Sequence, residues 1–370
     1  MARFGIEEEF LFLDAHSLVP VTLTAGTRER ITRLRTGGEV TREYLTSQIE
    51  CLTEPVTTAT DAEAQLAHLR GLIGWHAQDQ HAIAAGTGTP FASTRSSAVS
   101  PSPHYDDVAS QLGHLTRDHE VNGLHVHVEV TDDEERVRAL NRVRGWLPVL
   151  LALTGNSPFV NGRDSDFASW RSILIRRLPS SWAPPCFRDY DDYRSGVQRL
   201  IDVGALTDAA SLSWSARISE RYPTVEVRVF DAQLTAEDSV SAALLSRALV
   251  LTTDLPLADI GVDGIDASLW TAARRGMDAR LLDPTTGEAE DAWKLADRML
   301  SAIAPTLREL GDEDRVRDGI DRLRTDGSGA QRQRRAVAEG GTRALGDLLR
   351  AGTAAPLPAP AEQPASAPTT

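Results

Sequence analysis

Residues 4–14 read FGIEEEFLFLD and predict the β-strand around which the fold is built. Side chains alternate between the two faces of a strand, so Glu7 and Glu9 share one face, whereas Ile6 and Phe10 share the other. A solvated antiparallel strand with one wet face would account for this stretch if it stood alone. Three later segments show the same pattern, so a single solvated strand does not account for the polar face.

The later segments are 43–53 (EYLTSQIECLT), 122–131 (NGLHVHVEVT) and 224–233 (TVEVRVFDAQ). The apolar faces of these strands predict packing against helices. Strands separated by long helical segments favour an α+β fold, in which helices cover one side of an antiparallel sheet and leave the other side open. The side chains expected on the open face are Glu7, Glu9, Gln48, Glu50, His125, His127, Glu129, Glu226 and Arg228.

The remaining segments predict helices and a short tail. We expect helices at 22–34, 60–80, 134–153, 237–253, 267–275, 289–303 and 332–351. No repeat or linker is visible before residue 350, so we predict a single domain over residues 1–351. Residues 352–370 are rich in Ala and Pro without apolar periodicity, which is typical of a disordered tail.

Composition excludes several classes of protein. The net charge of −14 argues against nucleic acid or an anionic membrane as a partner. No apolar run approaches the roughly 20 residues of a membrane span, and we expect no secretory signal. Cys51 and Cys186 are too few for a disulfide scaffold or a structural zinc site, so we expect a cytoplasmic protein. Cys51 follows Glu50 in its strand and is predicted to be a core thiol.

The open face gathers carboxylates that repel one another, and burying them unpaired is costly. Either water screens these charges or divalent cations neutralise them. Lys294 is the only lysine, so the chain lacks the lysine of a GxxxxGK[ST] phosphate loop. Hard cations such as Mg²⁺ take oxygen ligands and accept an occasional imidazole, and the pattern therefore favours metal ions.

Two further motifs leave alternatives open. The HxHxE run of His125, His127 and Glu129 is also found in zinc or iron sites, so a metal-dependent hydrolase is an alternative function. Arg163 and Arg171 lie in the polar loop NSPFVNGRDSDFASWR and would suit a bidentate clamp on a carboxylate or phosphate, although an ordinary surface loop has the same composition.

Six motifs together resemble one family. GIEEEF, SQIECLTEP, GLHVHVEV, NSPFVNGRDSDFASWR, YPTVEVRVFD and GAQRQRR occur in this order between about residue 3 and residue 350. The set is similar to the bacterial glutamate–cysteine ligase family of the short carboxylate–amine ligase type. Six ordered motifs make this resemblance far more specific than any one of them.

The resemblance implies a curved, glutamine-synthetase-like sheet whose polar concave face binds Mg²⁺ and ATP. It implies ATP-dependent ligation of a carboxylate, typically the γ-carboxylate of glutamate, to an amine such as that of cysteine. Because this reaction is uphill in water, the carboxylate must first become an acyl phosphate. Phosphoryl transfer then relies on positioning and on neutralising charge.

The resemblance also assigns residues by motif position. It implies two or more Mg²⁺ ions on the ligands Glu7, Glu9, Glu50, His125 and Glu226. Arg228 and Glu226 are the implied catalytic residues, and Arg228 contacts the transferred phosphoryl group. The implied substrate and ATP contacts are Gln48, His127, Arg163, Arg171 and Arg228.

Four positions depart from the family pattern. Glu129 and Asp166 stand where glycine is usual, Trp170 replaces a tyrosine, and Ser215 replaces an aspartate. We expect all four near the substrate end of the site, which leaves the acid and the amine open. A non-catalytic binding module is a further alternative, as is self-association of the chain. The expected partners are small-molecule substrates.

Overall fold

Strand β1 lies in the middle of a seven-stranded antiparallel sheet, in a computed structural model that describes residues 1–33, 37–93, 98–255 and 260–354. The strand order is β2-β3-β1-β5-β9-β8, and β4 pairs with the end of β1. Two short hairpins, β6–β7 and β10–β11, lie outside this sheet. The strands are β1 Phe4–Asp14, β2 Glu39–Arg42, β3 Gln48–Leu52, β4 Ala82–Ala85, β5 Gly123–Glu129, β6 Phe159–Val160, β7 Arg163–Asp164, β8 Ala216–Ile218, β9 Thr224–Asp231, β10 Arg280–Leu282 and β11 Ala289–Asp291.

Twelve α-helices surround the sheet in the described part of the chain. Helices α2, α4, α5 and α8 contact its strands and supply much of the core. The helices are α1 Ala25–Thr32, α2 Ala59–Gln78, α3 Pro103–Leu112, α4 Asp133–Arg144, α5 Leu147–Thr154, α6 Trp170–Ile175, α7 Tyr190–Asp202, α8 Ala236–Leu251, α9 Val262–Arg275, α10 Ala292–Leu310, α11 Glu313–Asp326 and α12 Gly329–Ala351. The α+β architecture predicted from the sequence is confirmed. None of the described helices combines the length and the apolar character needed to cross a bilayer.

The two halves of β1 have different surroundings. In its second half Phe10 and Phe12 pack in one apolar cluster, while Leu11 and Leu13 pack in another with residues of α12. That half is therefore buried on both faces. Only the first half, which pairs with β3 and β5, presents a polar face, and it is this half that carries Glu7 and Glu9.

Some element boundaries differ from the prediction. The second predicted strand begins at Gln48 rather than at residue 43, because Leu45 to Gln48 form a turn closed by a backbone hydrogen bond. The predicted helix 60–80 begins at Ala59, because the Thr58 hydroxyl caps α2 by accepting from the backbone of Asp61. The helix predicted over 134–153 is two helices separated at residues 145–146, and α3, α7 and α11 were not predicted. The predicted single domain and tail stay predictions, since residues 355–370 lie outside the described residues.

Glu8 lies on the apolar face of β1 and is compensated by one buried partner. Glu8 and Arg70 of α2 are each about 1% exposed. Arg70 Nε and Nη2 donate to the two carboxylate oxygens at 2.9 and 2.6 Å. Ser239 of α8 donates to the same carboxylate, and Arg70 also donates to the carbonyls of Leu234 and Gly352. One ion pair therefore connects β1, α2, α8 and the end of α12.

We expect Arg70→Met to reduce the free energy of unfolding by about 3–5 kcal/mol, because it leaves the Glu8 carboxylate buried without its counter-ion. Urea unfolding followed by circular dichroism measures this loss. Arg33→Met is the matched control, since the Arg33–Glu29 pair is mostly exposed and its loss should cost less than about 1 kcal/mol. Equal losses in the two variants would contradict the assigned role of Glu8 and Arg70.

Candidate active site

The register of the sheet brings the predicted polar residues together on one face. Glu7 lies opposite His125, and Glu9 lies opposite Glu50. His127 lies opposite Glu226 on the next strand. Directly opposed residues on neighbouring strands have Cβ atoms about 4.5–5.5 Å apart. Side chains from four strands, distant in sequence, therefore form one cluster.

Three groups in this cluster have the composition of metal-ion sites. In each group one possible ligand atom per residue lies within 4.8 Å of the others. Glu7 takes part in two groups and Glu50 in two, so the groups are contiguous. The groups are Glu7, His127 and Glu226; Glu7, Glu50 and His125; and Glu9, Glu43 and Glu50. Oxygen-rich donor sets with a single imidazole fit Mg²⁺.

Glu226 is the most strongly compensated carboxylate of the cluster. Arg217 Nε donates to its Oε2 at 2.7 Å, and Arg228 Nη1 donates to its Oε1. Burial alone would raise the pKa of Glu226, but the charges of Arg228 and Arg217 hold that pKa far below its usual range. Glu226 is therefore ionised at neutral pH.

Glu7 is held in its charged form by the two histidines. His125 Nδ1 lies 3.3 Å and His127 Nε2 lies 3.2 Å from the Glu7 carboxylate. Burial would raise the pKa of Glu7, but hydrogen bonds with His125 and His127 lower it well below its usual range. The same contact with Glu7, together with the charge of Glu226, outweighs burial and raises the pKa of His127.

Glu43 and Glu50 show the opposite behaviour. Burial and the charge of Glu9 raise the pKa of Glu43 to about 8. Burial and the charges of Glu7 and Glu43 raise the pKa of Glu50 well above its usual range. At neutral pH the free protein therefore relieves part of the repulsion by keeping a proton on Glu43. A divalent cation would replace that proton.

The buried carboxylate of Asp231 organises the loop after α5. It accepts from the backbone of Asn156 at 2.8 Å and from the hydroxyls of Ser157 and Ser169 at 2.7 Å each. These bonds set the start of α6 and hence the place of Arg171, which is only 5% exposed. The Nε and Nη1 groups of Arg171 have no hydrogen-bond partner. The guanidinium contacts the backbone of β5 where Gly123 leaves room for it.

The other predicted contacts divide into two groups. Gln48 is buried beside the cluster and donates to the carbonyl of Val121 at 2.7 Å, while His127 lies within the cluster. Arg163 is different, because it lies exposed on the β6–β7 hairpin and lines neither cavity described below. The structure does not bring Arg163 to the site. Cys51 is buried in the core, as predicted, and Cys186 is exposed.

The HxHxE set is not one metal site. Successive residues on one face of a strand are about 6.8 Å apart. His125 and Glu129 are separated by two such steps, so they lie too far apart to bind one ion together. Glu129 instead pairs with Arg3, whose Nη2 donates to it at 2.5 Å. Among the described residues, none of the metal-type groups contains both histidines and Glu129. The structure gives no support to the hydrolase alternative.

Two cavities flank the carboxylate cluster. The larger, of about 340 Å³, is lined by Glu9, Glu43, His125, Arg171 and Arg228 on its sheet side. The smaller, of about 210 Å³, lies at the opposite end of the face beside Glu7 and His127. Its other walls include apolar and aromatic side chains: Leu52, Pro55, Tyr222 and Pro223.

The four departures from the family pattern lie at different places. Ser215 lines the larger cavity, whereas Glu129 lines the smaller one. Asp166 is exposed with φ of +61°, a left-handed conformation that explains why glycine suits this position. Trp170 packs edge-on against Phe167 and lines neither cavity. The expectation that all four share one end of the site is therefore wrong.

Sequence reasoning missed three residues of the site: Glu43, Arg217 and Asp231. Arg217 lies opposite Glu226 in the β8–β9 hairpin, and alternation within SARI together with the turn before TVEVRV would have indicated it. Glu43 lies outside a strand, so alternation gives no signal for it. Asp231 ends β9, and only its contacts with a distant loop show its role.

We expect Mg²⁺ to bind more tightly as the pH rises, since it competes with the protons on Glu43 and Glu50. The pKa of Glu43 is about 8 in the folded protein against 4.5 in the unfolded chain. Between these two pKa values the folded state holds more protons than the unfolded chain. Without Mg²⁺, the free energy of unfolding therefore falls as the pH rises through this range. Thermal unfolding at several MgCl₂ concentrations, between about pH 6 and pH 8.5, tests this.

The Mg²⁺ concentration that gives half of the stabilisation should decrease as the pH rises. This decrease should be smaller in the Glu43→Gln variant. A midpoint that does not change with pH in the unaltered protein would contradict the assignment of protonated carboxylates to the cluster.

Comparison with known proteins agrees with this geometry. The family model described as Glutamate-cysteine ligase family 2 (GCS2) matches residues 3–351. A proposed glutamate–cysteine ligase 2-2 of Mycobacterium sp. (strain KMS) is 36% identical over 339 residues, which cover 90% of this chain and 93% of the relative. A proposed glutamate–cysteine ligase 2-2 of Saccharopolyspora erythraea is 37% identical over 359 residues, or 95% and 92% of the two chains.

Solved structures show the same fold at low identity. Glutamate–cysteine ligase of Francisella tularensis, solved in complex with AMP, has a TM-score of 0.72 at 15% identity and covers 95% of this chain and 88% of its own. A bifunctional glutathione synthetase from Pasteurella multocida has a TM-score of 0.71 at 13% identity, covering 95% of this chain and 52% of its own. These likenesses confirm the predicted fold class.

Proposed function

Since the chain belongs to the glutamate–cysteine ligase family 2, a family of ATP-dependent carbon–nitrogen ligases, we propose that it joins the γ-carboxylate of glutamate or a close analogue to an amine. The observation that carries this proposal is the contiguous cluster of Glu7, Glu9, Glu50 and Glu226 on one open sheet face, which Glu43 joins from outside the sheet. Five carboxylates at this separation repel one another, and divalent cations bound between them would offset that repulsion.

Mg²⁺ fits the three groups of the cluster, and Glu43 joins the ligands implied by the family resemblance. Mg²⁺ bound there would neutralise the phosphate oxygens of ATP as their charge develops. The carboxylates Glu7 and Glu50 each belong to two groups, so they would hold adjacent ions in fixed relation. Arginine and metal ions would then do what a lysine does in a phosphate-binding loop.

The two cavities suit different substrates. The smaller one presents Leu52, Pro55 and Tyr222, and this apolar, aromatic surface suits a nucleotide base. The larger one presents Arg171, a buried cation with two unpartnered N–H groups, and this suits a carboxylate of an amino acid. We assign ATP to the smaller cavity and the acid and amine to the larger, so that the γ-phosphate and the reacting carboxylate meet at the cluster between them.

The chemistry follows from this placement. The γ-carboxylate attacks the γ-phosphorus of ATP, and the bond between this phosphorus and the oxygen that bridges the β- and γ-phosphates breaks. An acyl phosphate forms, and ADP leaves. Arg228 lies beside both the cluster and the larger cavity, where its guanidinium stabilises charge on the moving phosphoryl group. The amine then attacks the acyl carbon, loses a proton, and inorganic phosphate leaves.

Glu226 and Arg217 position Arg228 for this role. The Glu226 carboxylate holds one guanidinium on each of its oxygens, and so fixes the direction in which Arg228 points. Glu226 also lies within 3.8 Å of His127 and 4.0 Å of His125. Changing this carboxylate therefore alters both the ligand set and the phosphoryl contact.

We expect Glu226→Gln to lower ADP release by at least about a hundredfold, because one charged ligand is lost and Arg228 is no longer balanced. The isosteric amide should leave the far-ultraviolet circular dichroism spectrum unchanged. Glu220→Gln is the matched control, since Glu220 is exposed in the turn between β8 and β9 and should keep full activity. Retained activity in Glu226→Gln would contradict the assignment of this residue.

A screen for ADP release tests the function as a whole. We expect ADP to form with ATP, Mg²⁺ and glutamate plus a suitable amine, starting with cysteine, and to stop when EDTA removes the metal. Mass spectrometry of the product should show an amide of the two substrates. Substrate turnover without ATP would support a hydrolase and overturn the proposal.

A further inference from the structure

The larger cavity has two unlike sides. The charged side chains that line it, Glu9, Glu43, Arg171 and Arg228, belong to the sheet or contact it. The facing side comes from α3, from residues 175–178 and from the loop after α7. The apolar and aromatic side chains there are Tyr105, Val108, Leu112, Ile175, Leu178 and Leu206, beside the polar Gln111, Ser180, Ser181, Ser211 and Ser213.

Most of this facing surface is available to a ligand. Leu206 is buried, but Val108, Leu112, Ile175 and Leu178 are only partly buried and border the cavity of about 340 Å³. Apolar surface that faces a cavity favours a ligand that covers it with hydrocarbon. An acceptor with a small polar side chain would leave this apolar surface exposed to water.

The charges in the cavity allow for one substrate carboxylate beyond the reacting one. Arg228 is bonded to Glu226 and, in the proposed reaction, serves the phosphoryl group. Arg171 alone, among the described residues that line the cavity, is a buried cation with unpartnered N–H groups. Glutamate brings an α-carboxylate that would take this cation. A second α-carboxylate, on an amino-acid acceptor, would find no further unpartnered side-chain cation among the described residues that line the cavity.

We propose that the amine acceptor is an alkylamine or arylalkylamine without a carboxylate, whose nitrogen faces the sheet and whose hydrocarbon covers the apolar side formed by α3 and residues 175–178. This inference rests on the proposed ligase function and names the substrate class of that site. Ser215, one of the four departures from the family pattern, also lines this cavity with a neutral hydroxyl.

Matched pairs of acceptors test the inference on the full-length protein with ATP, Mg²⁺ and glutamate. The pairs are isoamylamine and leucine, 2-phenylethylamine and phenylalanine, and cysteamine and cysteine. In each pair the amine without a carboxylate should have a kcat/KM for ADP release at least about tenfold higher, since the amino acid buries an unpaired charge. Isoamylamine should also exceed cysteamine, because it covers more of the apolar side.

The outcomes separate this inference from the function on which it rests. Efficient ADP release with cysteine or leucine, and less with the matched amines, would overturn the inference while the ligase function stands. ADP release with none of the pairs would overturn the ligase function and the inference with it.

A substitution on α3 provides a second test. Val108→Arg places a cation on the apolar side and should shift the kcat/KM ratio of leucine to isoamylamine by at least about tenfold in favour of leucine. Ser110→Arg is the matched control, since Ser110 is exposed on the same helix and does not line the cavity. An unchanged ratio in a Val108→Arg protein with an unaltered circular dichroism spectrum would overturn the inference.

Discussion

Mutual repulsion among carboxylates on one sheet face is the constraint on which the rest of the structure depends. The register of four strands forces Glu7, Glu9, Glu50 and Glu226 together, and Glu43 reaches the same place from outside the sheet. The fold compensates these charges in two ways. Towards β8 and β9 it supplies arginines and histidines, and the pKa values of Glu7 and Glu226 are low. Towards β3 it supplies no cation at contact distance among the described residues, and the pKa values of Glu43 and Glu50 are high. The carboxylates near β3 are therefore less compensated than those near β8 and β9, and an added cation would stabilise them more.

The opposite face of β1 shows what full compensation looks like. Glu8 is as deeply buried as any core residue, yet Arg70 and Ser239 satisfy both of its oxygens. That ion pair is closed to water and to ligands, and its role is to hold helices on the sheet. Glu7 and Glu9, one residue to either side, lie on an open face with partners that leave room for ions. Consecutive glutamates thus perform a structural and a chemical role because a strand sends them to opposite faces.

Local sequence patterns are sufficient to predict the main strands, their polar faces and most members of the cluster. The alternation in residues 4–14 fixes the sides of Glu7 and Glu8, and this required no knowledge of partners. What local patterns could not give was pairing over long distances in sequence. Arg217 matters because of its register with Glu226, and Asp231 because of the loop that it anchors. The predicted substrate contact of Arg163 is not seen for the same reason. Its motif lies in a polar loop, but the β6–β7 hairpin places Arg163 on the surface.

The geometry of sheets also explains why the site needs so many separate motifs. Along one strand, side chains on the same face are about 6.8 Å apart, which is too far for three of them to share an ion. Across neighbouring strands the separation falls to about 4.5–5.5 Å, which suits oxygen ligands around Mg²⁺. A run such as HxHxE therefore contributes one imidazole to each of two groups rather than three ligands to one. Each ion must draw its ligands from different strands, so a substitution in any one strand disturbs a site whose other ligands lie far away in the sequence.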